Sequence, residues 1–302
     1  MQVDRAWDEL ATAEGIARRA TWDTTGKILG DDAAVVPDPG APLTICADAL
    51  VEGIHFDLRY WTPTQIGSKA VTVNISDLAA MAAQPLWVLS TIAAPKHFDV
   101  DRLLEGIEAG AARYGARLIG GDLTRAETVV ISVTAIGSQL LPPLRRSGAL
   151  PDDTVFVTGP LGLASVALER LSGAMIVDER TRLALLDPSA RLNEGFAASR
   201  AGASAAIDIS DGFALDLHRL ANASGVGFEI SHLPVAEGAT RRDALGGGED
   251  YELLFTAPDP SRVAEEFAKL GIKPPLMVGT VLADPEQRAL EGEPLDPIGY
   301  RH

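Results

Sequence analysis

Carboxylates recur in short segments where the surrounding sequence pattern does not require them. Carboxylate oxygens are the ligands that Mg²⁺ prefers, whereas the histidines and the single cysteine show no spacing typical of a zinc site. The chain also has neither a Walker A phosphate loop nor a Gly-x-Ser-x-Gly motif, which disfavours the common nucleotide hydrolases and serine hydrolases. The carboxylate segments are Gly30-Asp31-Asp32, Asp48, Asn74 with Asp77, Gly120-Gly121-Asp122, Asp208-Ile209-Ser210-Asp211-Gly212 and Gly247-Gly248-Glu249-Asp250.

Asp77 carries the strongest physical signal among these acids. It lies in a predicted helix, Pro63–Ala82, on the same stripe as Ile66, Ala70 and Val73 at about 100° per residue. A carboxylate on the core-facing side of a helix is costly unless it is paired or bound to a metal. We interpret Asp77 as a site residue. The alternative is a carboxylate that caps a neighbouring helix or meets an arginine.

Two other aspartates are predicted to follow strands. Asp48 comes after the apolar run Leu43–Ala47, at a strand end, where ligands typically bind in sheet proteins. Asp122 follows the run Arg117–Ile119 and two glycines, which allow close approach to a ligand. For each, a simple turn aspartate is the alternative.

The segment around Asp211 leaves a predicted strand, Ala205–Ile209, and enters a predicted helix, Phe213–Ser224. A helix N-terminus flanked by small residues suits a phosphate with its Mg²⁺. Ser210 or Asp211 would equally serve as the N-cap of the helix. Both interpretations stay open from the sequence alone.

The glycine triplet before Glu249 and Asp250 disfavours a strand and predicts a loop. Glycines beside two carboxylates would let a ligand approach the backbone closely. A flexible turn is the alternative.

Strands and helices alternate through both halves of the 302-residue chain, which predicts an α+β (mixed α/β) fold. The Pro-rich stretch Gln139–Asp153 marks a boundary. We therefore predict an N-terminal domain over residues 1–140 and a C-terminal domain over residues 150–302. Further predicted elements are strands at Leu86–Ala93, Thr128–Gly137, Thr154–Thr158 and Tyr251–Ala257, and helices at Val100–Tyr114, Leu161–Ser172 and Ser261–Leu270.

Composition excludes several partners. Lys and Arg total 26 against 42 Asp and Glu, a formal charge of −16, so neither nucleic acid nor an anionic membrane is an expected partner. The chain has no apolar run of about 18 residues, the length that a membrane-spanning helix needs, and it lacks a secretory signal pattern. With one cysteine, Cys46, no intrachain disulfide forms. We expect a cytoplasmic protein.

Taken in order, the segments resemble those of the thiamine-monophosphate kinases, which belong to a superfamily with aminoimidazole ribonucleotide synthase. Each motif alone is weak, but their order and spacing from Gly30 to Tyr300 are specific. The segments are GDDAAVV, ADALVEGIHF, GSKAVTVNISDLAAMAAQP, LIGGDLTR, RSGALPDDTVFVTGPLG, DPSARL, AIDISDGFALDLHRLA and LGGGEDYELLFT, with a terminal GY.

This resemblance implies an N-terminal domain that dimerises through its sheets, a C-terminal α/β domain, and active sites in clefts near the dimer interface. It implies ATP-dependent phosphorylation of thiamine monophosphate to thiamine diphosphate, by direct in-line transfer with several Mg²⁺ ions. Phosphoryl transfer needs positioning and charge neutralisation more than covalent catalysis. An acidic set of residues that holds cations suits this chemistry, and we assign no general base.

The resemblance also implies residue roles. Arg146, Asp208 and Asp211 are expected to be catalytic, and Arg146 would neutralise charge on the transferring group. The expected ATP contacts are Gly121, Asp122, Arg146 and Ser210. The expected Mg²⁺ ligands are Asp32, Asp48, Asp77, Asp122, Asp208 and Asp211. The expected substrate contacts are His55, Glu249 and Tyr300.

Three departures from the family pattern concern these roles. Cys46-Ala47 stands where the family has Ser-Thr before the aspartate, so side-chain metal ligation there is lost. Pro297 occupies the position of a substrate-stacking aromatic, with Tyr300 nearby, and the usual Gly-Glu-Phe start is missing before Gly30. Two alternatives therefore remain: a related ATP-dependent small-molecule kinase or synthase, and a nucleotide-binding dimer without turnover.

Overall fold

The computed structural model describes residues 36–301, together with Trp7, Thr12, Trp22–Asp23, Gly26–Lys27 and Ala34. The predicted metal ligand Asp32 lies outside the described residues. The elements are β1 (Trp22–Asp23), β2 (Gly26–Lys27), β3 (Leu43–Val51), α1 (Pro63–Ala80), β4 (Gln84–Ala94), α2 (Val100–Arg113), β5 (Arg117–Arg125), β6 (Val130–Ser138), β7 (Thr154–Val157), α3 (Leu163–Ser172), α4 (Glu179–Leu186), α5 (Leu192–Ala201), β8 (Ala205–Ile209), α6 (Phe213–Ser224), β9 (Gly227–Ile230), α7 (Arg241–Gly246), β10 (Glu252–Ala257), α8 (Pro260–Lys269), β11 (Leu276–Leu282), β12 (Arg288–Leu290) and β13 (Glu293–Pro294).

The chain divides into two compact units, one of Met1–Ile75 with Pro85–Ser138 and the other of Ser76–Gln84 with Gln139–His302. Helix α1 therefore contributes to both units, since its last turn from Ser76 belongs to the second. The mixture of helices and sheets in both units confirms the predicted fold class.

The first unit contains a four-stranded sheet in the order β3-β6-β4-β5. Strand β3 pairs antiparallel with β6 along its whole length, and β4 pairs parallel with β5. Helix α2 packs tightly on α1, because a Cβ added to Gly106 would lie 2.1 Å from the carbonyl oxygen of Thr64. Strands β3 and β5 are the two edges of this sheet.

The second unit contains a seven-stranded sheet in the order β13-β12-β9-β11-β7-β10-β8. Successive residues of a strand point to opposite faces, and β7 shows this: Val155 and Val157 pack with α6, while Phe156 packs with α5 and α8. The sheet is therefore covered by helices on both faces. Strand β8, which leads into the candidate site, is buried along its whole length.

Two strand predictions were wrong in a way that concerns the site. Strand β3 continues past Ala47, so Asp48 lies within the strand opposite Val133. Strand β5 likewise continues through the glycines, and Asp122 lies within it opposite Thr91. Neither aspartate follows a strand end or occupies a turn. Among the described residues, no helix is long and apolar enough to cross a membrane.

Candidate active site

The loop that joins β8 to α6 carries Ser210 and Asp211, and a buried carboxylate organises it. Oδ2 of Asp216, in the first turn of α6, accepts hydrogen bonds from the backbone N–H groups of Ser210 (3.1 Å), Asp211 (3.0 Å) and Gly212 (3.2 Å). The N-cap position is Gly212, so of the two interpretations left open for this segment, the one in which Ser210 or Asp211 caps the helix does not hold. The N–H groups of Ser210, Asp211 and Gly212 are thus bonded to the protein itself.

Other segments hold the same loop through its carbonyl oxygens. The oxygen of Ile209 accepts from the N–H of Tyr251 (2.9 Å), that of Ser210 from Glu249 (2.8 Å), and that of Asp211 from Tyr300 (2.9 Å). The predicted substrate residues Glu249 and Tyr300 are therefore joined by their backbones to the loop that carries the predicted phosphate and metal residues.

Asp208, two residues before the loop, is buried and bonded to helix α1. The hydroxyl of Ser76 donates a 2.8 Å hydrogen bond to Asp208 Oδ2, and both side chains are buried. Asp208 lies on the face of β8 that α1 covers, whereas Asp211 is directed towards Arg219 of α6. This agrees with the alternation expected from the sequence.

Asp77 follows Ser76 and is half-buried, while its neighbours from Ala70 to Ala80 are buried around the whole helix. The buried residues of α1 therefore do not form a single apolar stripe. Asp77 is more exposed than every other residue from Ala70 to Ala80, so its side chain is not fully buried in the core. Its role as a metal ligand stays a prediction.

The segment Glu249–Tyr251 has unusual backbone geometry. Glu249 (φ 68°) and Tyr251 (φ 50°) adopt the left-handed conformation, which side-chain-bearing residues rarely adopt and which is concentrated at functional sites. Between them, Asp250 accepts from the N–H of Gly162 through both carboxylate oxygens (2.9 and 3.0 Å). The pKa of Asp250 is well above its usual range, chiefly because the carboxyl group is buried. The hydrogen bond from Gly162 acts to lower this pKa, and the nearby carboxylates of Glu252, Asp243 and Glu249 act to raise it.

The glycine triplet allows close approach between segments of the protein itself. A Cβ added to Gly248 would lie 2.6 Å from the oxygen of Ser210, and one added to Gly247 would lie 2.3 Å from the oxygen of Asp243. Gly246 is the last residue of α7. The backbone atoms that approach Gly247 and Gly248 thus belong to α7 and to the loop after β8.

The segment after β13 brings Tyr300 to the loop. His218 of α6 contacts the carbonyl oxygen of Leu295 through Nε2 (2.8 Å), and Arg288 Nη1 lies 3.0 Å from His218 Nδ1. Because Arg288 is a donor only, the ring is neutral and Nε2 carries its proton. Burial lowers the pKa of His218, which favours this neutral form. The side chain of Tyr300 is partly exposed.

In the first unit, Asn74 connects α1 to β3 beside Asp48. Asn74 Oδ1 accepts from the backbone N–H of Asp48 (3.0 Å), and its Nδ2 donates to Ala70 (2.9 Å). The thiol of Cys46, at the position where the family has a hydroxyl, donates to the Asn74 carbonyl at 3.2 Å. The carboxylate of Asp48 is exposed.

Asp122 lies on β5, at the opposite edge of that sheet from Asp48. Neighbouring strands are about 4.8 Å apart, so the strands that carry these two acids are separated by roughly 14 Å. The two acids therefore do not lie on neighbouring strands of the sheet. Gly121 is required beside Asp122, because an added Cβ would lie 1.9 Å from the oxygen of Ser90.

His55 and Arg146 occupy loops. Nδ1 of His55 accepts from the N–H of Val51 at 3.0 Å, which places the proton of a neutral ring on Nε2. Arg146 is exposed, and its carbonyl accepts from the hydroxyl of Ser224, the last residue of α6. A helix of 12 residues is about 18 Å long, so Arg146 is anchored at the other end of α6 from Asp211.

No group of three or more metal-binding side chains is assembled among the residues that the structure describes. Three residues that bond to predicted site residues were not expected from the sequence: Ser76, Asp216 and Arg219. Asp216 had a detectable signal, because it lies between Phe213 and Leu220 on the apolar face of its predicted helix, as Asp77 was thought to do. Ser76 gave no such signal, since its partner is distant in sequence.

The two halves of the chain match AIR synthase related proteins. Residues 30–139 match their N-terminal domain and residues 151–290 their C-terminal domain. The fold and its carboxylate-bearing strands therefore define a protein of the AIR synthase related class.

Individual relatives narrow this class. The thiamine-monophosphate kinase of Corynebacterium glutamicum is 36% identical, over 84% of this chain and 85% of the relative. The crystal structure of thiamine-monophosphate kinase from Stenotrophomonas maltophilia K279a matches with a TM-score of 0.78 and 34% identity, over 87% of this chain and 90% of that one. The structure of AaThiL complexed with AMPPCP and TMP matches with a TM-score of 0.78 and 30% identity, over 100% of this chain and 99% of that chain. The chain belongs to the thiamine-monophosphate kinase family.

Proposed function

We propose that this chain is an ATP-dependent kinase that converts thiamine monophosphate to thiamine diphosphate. Its similarity to thiamine-monophosphate kinases over most of both chains carries the proposal. The loop after β8 supports it, because Ser210 and Asp211 are joined by backbone hydrogen bonds to Glu249 and Tyr300. This loop thus connects the residues expected at the nucleotide with those expected at the thiamine substrate.

The reaction needs little proton transfer from the protein. A phosphate oxygen of thiamine monophosphate attacks the γ-phosphorus of ATP, the bond to the bridging oxygen breaks, and ADP leaves with the electron pair. A phosphate monoester has a second pKa of about 6, so the attacking oxygen is already an anion near neutral pH. This accounts for the absence of an assigned general base.

The donor set fits Mg²⁺, because it consists of carboxylates and offers hard oxygen ligands. Asp77 and Asp208 would hold ions in the second unit, and Asp48 and Asp122 in the first. Asp211 would add a further position, and Asp32 belongs to the same set by resemblance. Bound Mg²⁺ would neutralise the phosphate charges. Two phosphorylated anions must be brought together, so we propose more than one ion.

We also propose a homodimer formed through the first sheet. Edge strand β3 exposes Leu43 and Ile45, which favours pairing with a second copy. Ile45→Lys should shift the protein towards monomer in analytical ultracentrifugation. Ile54→Lys is the matched control, because Ile54 is equally exposed but lies outside the strand. A dimer that survives Ile45→Lys unchanged would exclude this face.

The function is tested by incubating the purified chain with ATP, Mg²⁺ and thiamine monophosphate. We expect equal amounts of ADP and thiamine diphosphate, and no reaction in excess EDTA. Pro297 at the position of the stacking aromatic makes other acceptors worth testing in parallel. ADP release with another alcohol or phosphate, but not with thiamine monophosphate, would identify a related kinase. Tight ATP binding without turnover on any acceptor would identify a binding protein.

A further inference from the structure

Asp216 is a fully buried carboxylate that the proposed reaction does not use. Its relative exposure is 0%, so it does not contact a bound ligand directly. Oδ2 accepts from three successive backbone N–H groups of the loop after β8, and Oδ1 accepts from Arg219 at 2.7 Å. Three of these bonds hold the backbone of the loop, and the fourth holds Arg219 beside it.

These bonds stabilise the negative charge of Asp216 in the protein interior, where an unpaired carboxylate is costly. Burial raises the pKa of Asp216, and the loop N–H groups and Arg219 act in the opposite direction by stabilising the anion. Without the carboxylate, three buried or half-buried N–H groups would lose their acceptor. The N–H side of the loop backbone therefore depends on this one side chain.

Arg219 extends the arrangement to Asp211. The same guanidinium nitrogen, Nη1, donates to Oδ2 of Asp211 and to Oδ1 of Asp216. Burial acts to lower the pKa of Arg219, but its bonds to Asp211 and Asp216 outweigh this and the net pKa is raised. The permanent positive charge lies between two carboxylates that would otherwise repel one another, and it fixes the direction of the Asp211 carboxylate.

The loop is thus held on both sides of its backbone. Its N–H groups are bonded to Asp216, and its carbonyls to the N–H groups of Glu249, Tyr251 and Tyr300. The side chains of Ser210 and Asp211 project from this backbone. Their placement is set by Asp216, Arg219 and the backbone bonds of the loop.

We propose that Asp216 and Arg219 are positioning residues of the active site. Asp216 sets the loop backbone and Arg219 orients Asp211, so that Ser210 and Asp211 meet the nucleotide phosphates and their cation in a fixed geometry. This inference rests on the proposed function for the identity of its ligands, and it adds two residues that the family resemblance did not assign.

The test compares Asp216→Asn with Asp153→Asn. Asp153 is a buried aspartate of the same unit that accepts from the N–H of Leu150 at 2.9 Å, in a turn outside the candidate site. The readouts are the melting temperature, amide hydrogen exchange, affinity for AMPPCP with Mg²⁺ by calorimetry, and steady-state kinetics. Arg219→Gln is the second variant, and its partly exposed side chain makes loss of folding less of a risk.

We expect Asp216→Asn to accelerate exchange at residues 210–212 and to lower AMPPCP affinity and kcat/KM by about 10- to 100-fold, the usual effect of removing a supporting residue. Asp153→Asn should lose comparable stability with neither effect. Arg219→Gln should lower kcat with little change in the melting temperature. Folded Asp216→Asn and Arg219→Gln proteins with wild-type AMPPCP affinity and kinetics would overturn the proposal. If the wild type ignores thiamine monophosphate, exchange and AMPPCP binding still decide the question.

Discussion

The hydroxyl of Ser76 donates to Oδ2 of Asp208 across 132 residues of sequence, and both side chains are buried. The bond joins the last turn of α1 to strand β8 and sets the rotamer of Asp208. A buried carboxylate that is meant to bind a cation needs such a partner, because a disordered ligand costs affinity.

Ser76→Ala should therefore reduce activity while the protein stays folded. Removing the donor leaves a buried acceptor, which costs about 1–3 kcal/mol of stability, and we expect the Mg²⁺ concentration for half-maximal rate to rise. Ser199→Ala is the matched control, since Ser199 is a buried serine of the same unit that donates to Pro142 at 2.9 Å. Equal effects of both changes on Mg²⁺ dependence would contradict a role for Ser76 at the site.

Asp77→Asn and Asp122→Asn test the metal assignments. Each change removes a charge with little change in shape, so we expect turnover to be abolished and the melting temperature to be nearly unchanged. The control is Asp101→Asn, an exposed aspartate in the first turn of α2. Wild-type activity in the Asp77 or Asp122 variant would remove that residue from the set of ligands.

Arg146 and Arg145 are adjacent, exposed arginines, and only Arg146 matches a nucleotide contact by resemblance. Loss of one charge-assisted hydrogen bond is worth about 1.5–3 kcal/mol. Arg146→Ala should therefore raise KM for ATP by roughly 10- to 150-fold. Arg145→Ala should leave it unchanged. The comparison matters because Arg146 is anchored at the other end of α6 from Asp211. Identical kinetics for the two variants would show that Arg146 does not bind the nucleotide.

The glycine triplet supplies its own control. A Cβ at Gly248 would lie 2.6 Å from the oxygen of Ser210, whereas one at Gly246 would meet nothing closer than Ile298 Cγ1 at 3.7 Å. Gly248→Ala should displace Glu249 and lower kcat/KM for thiamine monophosphate by up to about 100-fold, as small misplacements do. Gly246→Ala should be tolerated. Equal kinetics in the two variants would argue against close packing of Gly248 on the loop.

His218 should make stability depend on pH. Its pKa is lowered by burial from 6.5, so the unfolded chain binds a proton more readily than the native protein. The contribution of neutral His218 to the free energy of unfolding is fully present above the unfolded pKa of about 6.5. It falls as the pH drops below that value, by at most about 1.4 kcal/mol per pH unit. Urea unfolding between pH 5 and pH 8 measures this, and His218→Gln should flatten the curve in that range. An unchanged curve in the variant would assign the dependence to other groups.

Much of the second unit was predictable from local pattern. Strand β8 and helix α6 were predicted to the residue, because buried apolar residues and a terminal glycine, Gly225 in the left-handed conformation, define them locally. The ends of β3 and β5 were mispredicted, since an edge strand with one exposed face accepts Asp48 or Asp122 without ending. Helices α4, α5 and α7 are short, and α5 includes Gly195, so their patterns are weak.

Contacts of long sequence separation were not predictable at all. Ser76 with Asp208, and Asp211 with Tyr300, are brought together by tertiary structure, and no periodicity in one sequence encodes them. The loop at Asp211 lies where the sequence predicted it, and its contact with a phosphate and Mg²⁺ stays a prediction. The bonds from its N–H groups to the Asp216 carboxylate were not expected from the sequence.

The backbone bond from Tyr300 to Asp211 also has a consequence for biosynthesis. On the ribosome, β8 and its loop are synthesised long before residue 300. The carbonyl oxygen of Asp211 therefore lacks its Tyr300 donor until most of the second unit has been translated. This part of the site is therefore completed only after residue 300 has been synthesised. A chain that stops before residue 300 would lack the Tyr300 N–H, and the carbonyl oxygen of Asp211 would lose this backbone partner.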